Sequence, residues 1–276
     1  MTVLYGVAVE PRLILDEERV DAFLPGLDES WEGQPVAAFS DLQVGMWLAN
    51  TGMVERVVER VVELDPAALL LAGDFLYSRS PDPPEQVEQV IELLAPVVEA
   101  DIPTFAVLGN HDYAVDAVPE LTAALEDAGV QVLLNDSAVV PTPPGLQGEP
   151  LRIVGLGPSR PPLADPSEAL DDIEPTAPRL TVLHNPTAFP LLPPGTAPFT
   201  VAGHTHCGQV TLPGMPRWSY LGLTEQEEVV ADGFAPEGYG ADGNGMFVTC
   251  GIGFSLLPMR VNAPPQLLVI DLHAAD

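Results

Sequence analysis

The sequence has no lysine and only two cysteines, and these two shortages narrow the range of functions at once. All ten basic residues are arginine, set against forty acidic ones, for a formal charge of −30. Nucleic-acid backbones and anionic head groups are normally held by clustered Lys and Arg, so no nucleic-acid partner is expected. The carboxylates are scattered rather than collected in one tail, which describes a solvated acidic surface. Cys207 and Cys250 are too few for a disulfide framework and lack metal-finger spacing, so they read as free thiols. No uninterrupted apolar run approaches the ~20 residues of a membrane helix. The opening stretch MTVLYGVAVEPRLILDEERV lacks the basic start, apolar run and small-residue cleavage site of a secretory signal. A cytoplasmic protein without a transmembrane segment is the expectation.

What is present is enough apolar residue, 46% of 276, to fill a sizeable core. We expect one α/β domain over residues 1–276, with 1–34 as an N-terminal extension packing on it. Short apolar runs ending in polar residues recur: PVAAFSD from Pro35, ALLLAGD from Ala68, TFAVLGNHD from Thr104, LTVLHN from Leu180 and FTVAGHTH from Phe199. They read as buried strands with functional tips. Between the first three lie helical patterns, Asn50 to Leu64 and Pro84 to Glu99, so strand and helix alternate as in a sheet with crossover helices. The second half is mostly β, with strands predicted at Leu151 to Leu156, Gln209 to Leu212, Gly245 to Cys250 and Gln266 to Leu272. The stretches Pro141 to Pro150, Pro158 to Pro178 and Thr224 to Asn244 are rich in Pro, Gly and acids and read as loops.

The tips carry the chemistry. Hard divalent ions take carboxylate and amide oxygens, and borderline ions also accept imidazole, so Asp, Asn and His together suit Mn, Fe, Zn or a similar ion. Four of the five histidines, His111, His184, His204 and His206, stand at strand ends, and only His273 does not. Each residue alone has a duller role: Asp41 or Asp74 as a turn-former, Asn110 in a tight turn beside Gly109, His184 as a buried hydrogen-bonded histidine. His204 and His206 are one residue apart, a spacing that on a strand puts both imidazoles on one face.

Five ordered blocks, SDLQ at Ser40, GDF at Gly73, GNHD at Gly109, HNP at His184 and GHTHCGQ at Gly203, resemble the calcineurin-like metallophosphoesterases. HTHCGQV together with GIGFSLLPMRVNAPPQ from Gly251 is similar to the bacterial branch of phosphodiesterases and hydrolases of lipid-A precursors. The resemblance implies a four-layer sandwich of two mixed β-sheets flanked by helices, with two metal ions at the strand tips. It assigns Asp41 and His206 to the first metal, Asn110, His184 and His204 to the second, and Asp74 to a bridge. His111 would donate a proton or hydrogen bond to the phosphate or leaving oxygen, with Asp112 orienting its ring. Where the family usually has a histidine, this chain has Gln43, whose side-chain oxygen serves as a weaker, harder ligand or contacts only a metal-bound water, or else points away with the first site lost, as a scaffold would have it.

The activity implied is hydrolysis of a phosphodiester or phosphomonoester by metal-bound hydroxide, on a small-molecule or lipid-linked substrate, with Mn foremost among Fe, Zn and Mg. The alternative is a non-catalytic scaffold that keeps the fold and part of the metal site. Around the centre, Arg260 and Arg217 read as candidates for a distal phosphate or for surface pairing with carboxylates. Met46 and Trp47 read as flanks of the substrate entrance or as an anchor at a helix start, and Cys207 as a small packing residue.

Overall fold

A strand buried on both faces has no need to alternate polar with apolar residues, and this is why the runs ALLLA and PVAAF are apolar throughout. The computed structural model of the chain describes residues 2–79, 82–159, 162–213, 215–219 and 232–275. One six-stranded sheet contains β1 (Asp16–Pro25), β2 (Pro35–Phe39), β3 (Ala68–Ala72), β4 (Thr104–Val107), β5 (Gln131–Val132) and β14 (Gln266–Ala275), in the order β1-β14-β2-β3-β4-β5. β2 to β5 are parallel, β14 runs against β2, and β1 is parallel to β14. The second sheet contains β6 (Asp136–Val139), β7 (Arg152–Gly155), β8 (Arg179–Leu183), β9 (Thr200–Ala202), β12 (Gly233–Phe234) and β13 (Met246–Val248), in the order β12-β13-β9-β8-β7-β6. A small ribbon joins β10 (Thr211–Leu212) to β11 (Met215–Ser219).

Successive strand residues point to opposite faces, and the core divides accordingly. Val36 and Ala38 of β2, with Leu70 and Phe105, pack against Ile153, Leu180, Val182, Val201 and Phe247 of the second sheet. Their neighbours Ala37, Phe39, Leu69 and Leu71 face the other way, onto helices. The helix Thr51–Leu64 offers Met53, Val54, Val57, Val58 and Val61 to that layer, the three-and-four spacing of one buried stripe. The helices Pro83–Glu99 and Val118–Asp127 complete it. On the far side of the second sheet, Val154, Leu183, Ala202 and Val248 are covered by Ala188, Phe189 and Leu192 of the 3-10 turn Pro186–Leu191 and its end. The architecture is two mixed sheets packed face to face with helices outside.

All five predicted tips end strands, and the two predicted helices form within a residue of their expected starts. The N-terminal segment differs from the expectation of an extension. Asp16–Pro25 is an integral edge strand, ten residues in register with β14. Its acids hid it: Asp16, Glu17, Glu18 and Asp21 suppress a strand signal, yet charged residues are what an exposed sheet edge carries. Gly233–Phe234 is a short strand inside the predicted loop from Thr224, of which residues 224–231 lie outside the described part. No helix among the described residues is long and apolar enough to cross a membrane.

Phe105 is fully buried between the two sheets. Phe105→Ala should lower unfolding stability by about 3–5 kcal/mol, read as a shift of the urea midpoint at unchanged slope.

Candidate metal centre

Five strands run out into the loops that meet here. Ser40 to Gln43 follow β2, Gly73 and Asp74 follow β3, Gly109 to His111 follow β4, His184 follows β8, and Gly203 to His206 follow β9. The backbone is held in uncommon shapes: φ is 57° at Asp41, 52° at Gln43, 57° at Asp74, 71° at His204 and 48° at His206. Left-handed conformations cost non-glycine residues about 1–3 kcal/mol each and persist where surrounding contacts over-determine them. Glycine lets the loops close up, since a Cβ on Gly109 would stand 2.1 Å from Asp74 Oδ1. His204 and His206 lie beyond the end of β9, so the strand-face argument for the pair does not apply. Their rings part company, one toward His184 and the other toward Asp41.

Asp74 is buried, and both its oxygens are engaged. Oδ1 accepts the backbone N–H of His111 at 2.8 Å and Oδ2 accepts the Gln43 side-chain amide at 2.9 Å. His184 Nδ1 lies 2.8 Å from the carbonyl of Ala72, which can only accept, so Nδ1 carries the hydrogen. Nε2 therefore faces inward, 3.2 Å from Asp74 Oδ2 and 3.1 Å from Asn110 Oδ1. The His204 ring stands edge-on to His184 at 5.1 Å between centroids. Ligand atoms of Asp74, His184 and His204 all lie within 4.8 Å of one another. Burial pushes the His184 pKa down, but the charge and hydrogen bond of Asp74 more than reverse this and raise it to about 10. Burial would raise the Asp74 pKa, but the neighbouring His184 holds it below the usual carboxylate range. Oxygens and imidazole nitrogens gathered this way form a cation's environment.

The second group is built from Asp41, Gln43 and His206. Asp41 Oδ2 accepts from the Ser40 hydroxyl and, at 3.0 Å, from the His204 amide. Its Oδ1 is buried without a hydrogen-bond partner, and so is Gln43 Oε1. Buried polar atoms are almost always paired, so two orphaned oxygens on one loop fit a ligand from outside the chain. The donation from Gln43 Nε2 to Asp74 fixes which end of that amide is oxygen. His206 Nε2 lies 3.5 Å from Asp41 Oδ1, and its Nδ1 is 3.1 Å from Arg260 Nη2. Burial, with Arg260 beside it, holds the His206 pKa well below the imidazole value, and burial raises that of Asp41.

Three residues sit differently from expectation. Asp112 does not orient His111: its carboxylate accepts the backbone N–H groups of Asp74, Leu76 and Gly109 at 3.1, 2.9 and 2.8 Å. These bonds close a short helix start and tie two loops, and none of them goes to the His111 ring. Burial and the nearby Asp74 raise the Asp112 pKa to about 7. His111 is held instead by Tyr77, whose carbonyl lies 3.1 Å from Nδ1 and whose ring stacks on the imidazole at 5.0 Å. Sequence reasoning missed Tyr77, because a backbone carbonyl leaves no mark on residue type. Arg260 meets neither expectation set for it, being wholly buried with its guanidinium on the carbonyls of Cys250, Gly253 and Ala263. The Arg217 side chain lies outside the described part.

Cys207 and Cys250 are joined in a disulfide, not free. β9 and β13 are parallel neighbours, so the loops beyond their ends run side by side and bring together cysteines 43 positions apart. That pairing is invisible in spacing. The bridge fastens the loop of His206 to the one leading to Arg260. Beside the centre, Met46, Trp47, Tyr77 and Ser78 line an open groove of about 650 Å³. Met46 is buried and Trp47 is exposed.

The calcineurin-like phosphoesterase profile matches residues 34–208, a stretch that contains every residue of both groups. The chain belongs to the calcineurin-like phosphoesterase family. This phosphoesterase is 30% identical to phosphodiesterase YaeI of Escherichia coli K12, across 76% of this chain and 72% of that protein. It is 24% identical to the UDP-2,3-diacylglucosamine pyrophosphatase LpxG of Chlamydia trachomatis, across 77% and 75%. It is 22% identical to the metallophosphoesterase YkuE of Bacillus subtilis, across 99% and 91%. The chain is a phosphoric ester hydrolase, and the family's fold implies divalent metal ions, for which Asp74, His184 and His204 form a candidate group.

Alkylation of the unfolded, unreduced phosphoesterase should label no cysteine, and mass spectrometry after reduction should find two labels. Replacing both cysteines by alanine should cost up to about 4 kcal/mol by the loop-entropy relation, read by urea unfolding.

Proposed function

We propose that the chain hydrolyses phosphodiester or pyrophosphate-type bonds with two divalent ions. One would be held by Asp74, Asn110, His184 and His204, and the other would lie beside Asp41, Gln43 and His206, with Asp74 reaching both. The observation that carries this reading is the convergence of His184 Nε2 with the oxygens of Asp74 and Asn110, set against the orphaned oxygens of Asp41 and Gln43. When bound, such ions supply Lewis acidity to a phosphoryl oxygen and bring the pKa of water near neutrality. The protein's own part is positioning. His111, with Nδ1 on the Tyr77 carbonyl, presents Nε2 as the nitrogen that can bond or protonate the leaving oxygen. In a chain of charge −30 the ions also supply the positive field that draws an anionic substrate inward.

The diester preference follows the similarity to a phosphodiesterase and a pyrophosphatase, whose substrates carry a group on each side of the phosphate. The groove of Met46, Trp47 and Tyr77 offers a place for the second group, with aromatic and polar surface together. That mixture favours a small soluble diester over a long acyl chain. Manganese is the favoured ion, because Gln43 supplies an oxygen where an imidazole would favour zinc. The bridge of Cys207 to Cys250 counts against a reducing compartment, since disulfides persist in oxidising ones, and so against the cytoplasmic expectation.

Protein stripped with chelator should lose hydrolysis of bis-p-nitrophenyl phosphate and regain it with Mn²⁺, with p-nitrophenyl phosphate turned over more slowly. Full activity without metal would end the proposal. Asp74→Ala should bind neither ion, whereas His111→Ala should keep its metal content and lose about 10²- to 10⁴-fold in turnover. Loss of metal from the His111 variant would show it to be a ligand instead.

A further inference from the structure

The loop that carries His206 is bent the unusual way almost throughout. Of the residues from His204 to Gln209 only Thr205 has a negative φ, and the others stand at 71°, 48°, 50°, 77° and 59°. Left-handed backbone at non-glycine residues persists only where the surrounding contacts hold it. At the strand end, Gly203 N donates to the His184 carbonyl at 2.9 Å. At the far end, the Gln209 side chain donates to the carbonyls of Ser255 and Leu257 at 2.8 Å and accepts the Ser255 N–H at 2.6 Å. Between these anchors the loop is fastened covalently, by the bond of Cys207 to Cys250.

Cys250 is locked in turn to Asp41. Just beyond it, Ile252 N donates to the Ser40 carbonyl at 3.0 Å and Gly253 N to the Asp41 carbonyl at 2.6 Å. The Asp41 side chain rests against the same turn, for a Cβ on Gly251 would stand 2.6 Å from Asp41 Oδ2. The bridge therefore closes a circuit from Asp41 through the turn of Cys250 to Gly253 and the two sulfurs to His206, whose Nε2 returns to 3.5 Å from Asp41 Oδ1. The other ligand residues are placed by strand ends: Asp74, Asn110 and His184 follow β3, β4 and β8, and His204 stands two residues past β9. Both sulfurs are buried, and Asp232 Oδ1 lies 3.6 and 3.4 Å from them. A bridge shielded in this way meets thiol reagents slowly, which makes it a fixed clamp rather than a switch.

We infer that Cys207 and Cys250 are positioning residues for the ion beside Asp41: their bridge sets His206 against Asp41, and the affinity of that position depends on it while the position at Asp74, Asn110, His184 and His204 does not. The inference rests on the two-ion reading of the site. Without the bridge, the middle of a left-handed loop is released, and its relaxation toward ordinary backbone carries the imidazole away from Asp41. Coupling of this kind is reciprocal. If the bridge strengthens the ion's binding, the bound ion makes the bridge harder to reduce by the same factor.

The test is metal binding and bridge potential, not turnover. Calorimetry of Mn²⁺ into chelator-stripped wild type should find two ions. In the double variant Cys207→Ala with Cys250→Ala, one ion should bind within about twofold of its wild-type affinity and the other about tenfold or more weakly. Phe105→Ala, which loosens the core between the sheets, should keep both affinities, so that lost stability alone does not produce the effect. The second readout needs no substitution. Wild type is equilibrated in dithiothreitol buffers, where each dithiol oxidised yields two protein thiols, and these are counted by alkylation and mass spectrometry. Saturating Mn²⁺ should make the bridge harder to reduce by about 30 mV or more, the equivalent of tenfold for a two-electron couple. If the double variant does not fold by circular dichroism, this potential decides. Two ions bound equally well with and without the bridge, equal loss of both, or a potential indifferent to Mn²⁺ would overturn the proposal alone. Wild type that binds no ion would overturn the reading of the site as a metal centre, and the proposal with it.

Discussion

The carboxylate of Asp74 is the constraint on which the site depends. It is buried, it stands where loops of both sheets meet, and its two oxygens take the His111 amide, the Gln43 side chain and the approach of His184. A buried anion must be compensated or it will not stay ionised. The left-handed backbone at Asp41, Asp74, His204 and His206 is the cost of bringing enough donors and imidazoles to one place. The tight approach of Gly109 to Asp74 and the cap made by Asp112 serve the same end from the other side. Sheet packing supplies the stiffness that holds these loops against their strain.

Arginine use shows how the chain manages extreme acidity. Four of its arginines, Arg12, Arg56, Arg179 and Arg260, donate to backbone carbonyls among the described residues. Arg12 reaches the carbonyls of Leu48 and Ala49, Arg179 those of Glu174, Pro175 and Thr196, and Arg260 those around the centre. Among the described acidic side chains Glu10, Asp41, Asp74 and Asp112 are buried, and others pair with arginine nearer the surface, as Glu17 does with Arg60 and Asp271 with Arg19. The two arginines buried among the described residues, Arg179 and Arg260, thus spend their charge on backbone carbonyls.

Much of the architecture is legible in the sequence because its strands are buried on both faces, so runs such as ALLLA and FTVA declare themselves without an alternating pattern. Ligand-type residues at the strand ends announce the centre for the same reason: polar residues directly after an apolar run have to be at a tip. Legibility fails where the information is spatial. β1 is acidic because it is an edge, and an edge resembles a tail. Cys207 and Cys250 pair through the adjacency of β9 and β13, which no spacing encodes. The orienting role expected of Asp112 falls to Tyr77, because a backbone carbonyl holds His111, and carbonyls have no residue type. Arg260 could be read only as a surface or phosphate-binding cation until its burial against His206 was in view.

The strand order of the first sheet governs how the chain can assemble as it is synthesised. β14 follows every other strand in the sequence yet lies between β1 and β2. Among the described strands β1 pairs with β14 alone, so it emerges from the ribosome about 240 residues ahead of that partner. Until then, β2 presents an open edge to a growing chain, and an exposed edge invites the wrong neighbour. The clustered carboxylates of β1 repel like strands during that wait, so the same acids that disguise the segment as a tail can guard a half-built sheet.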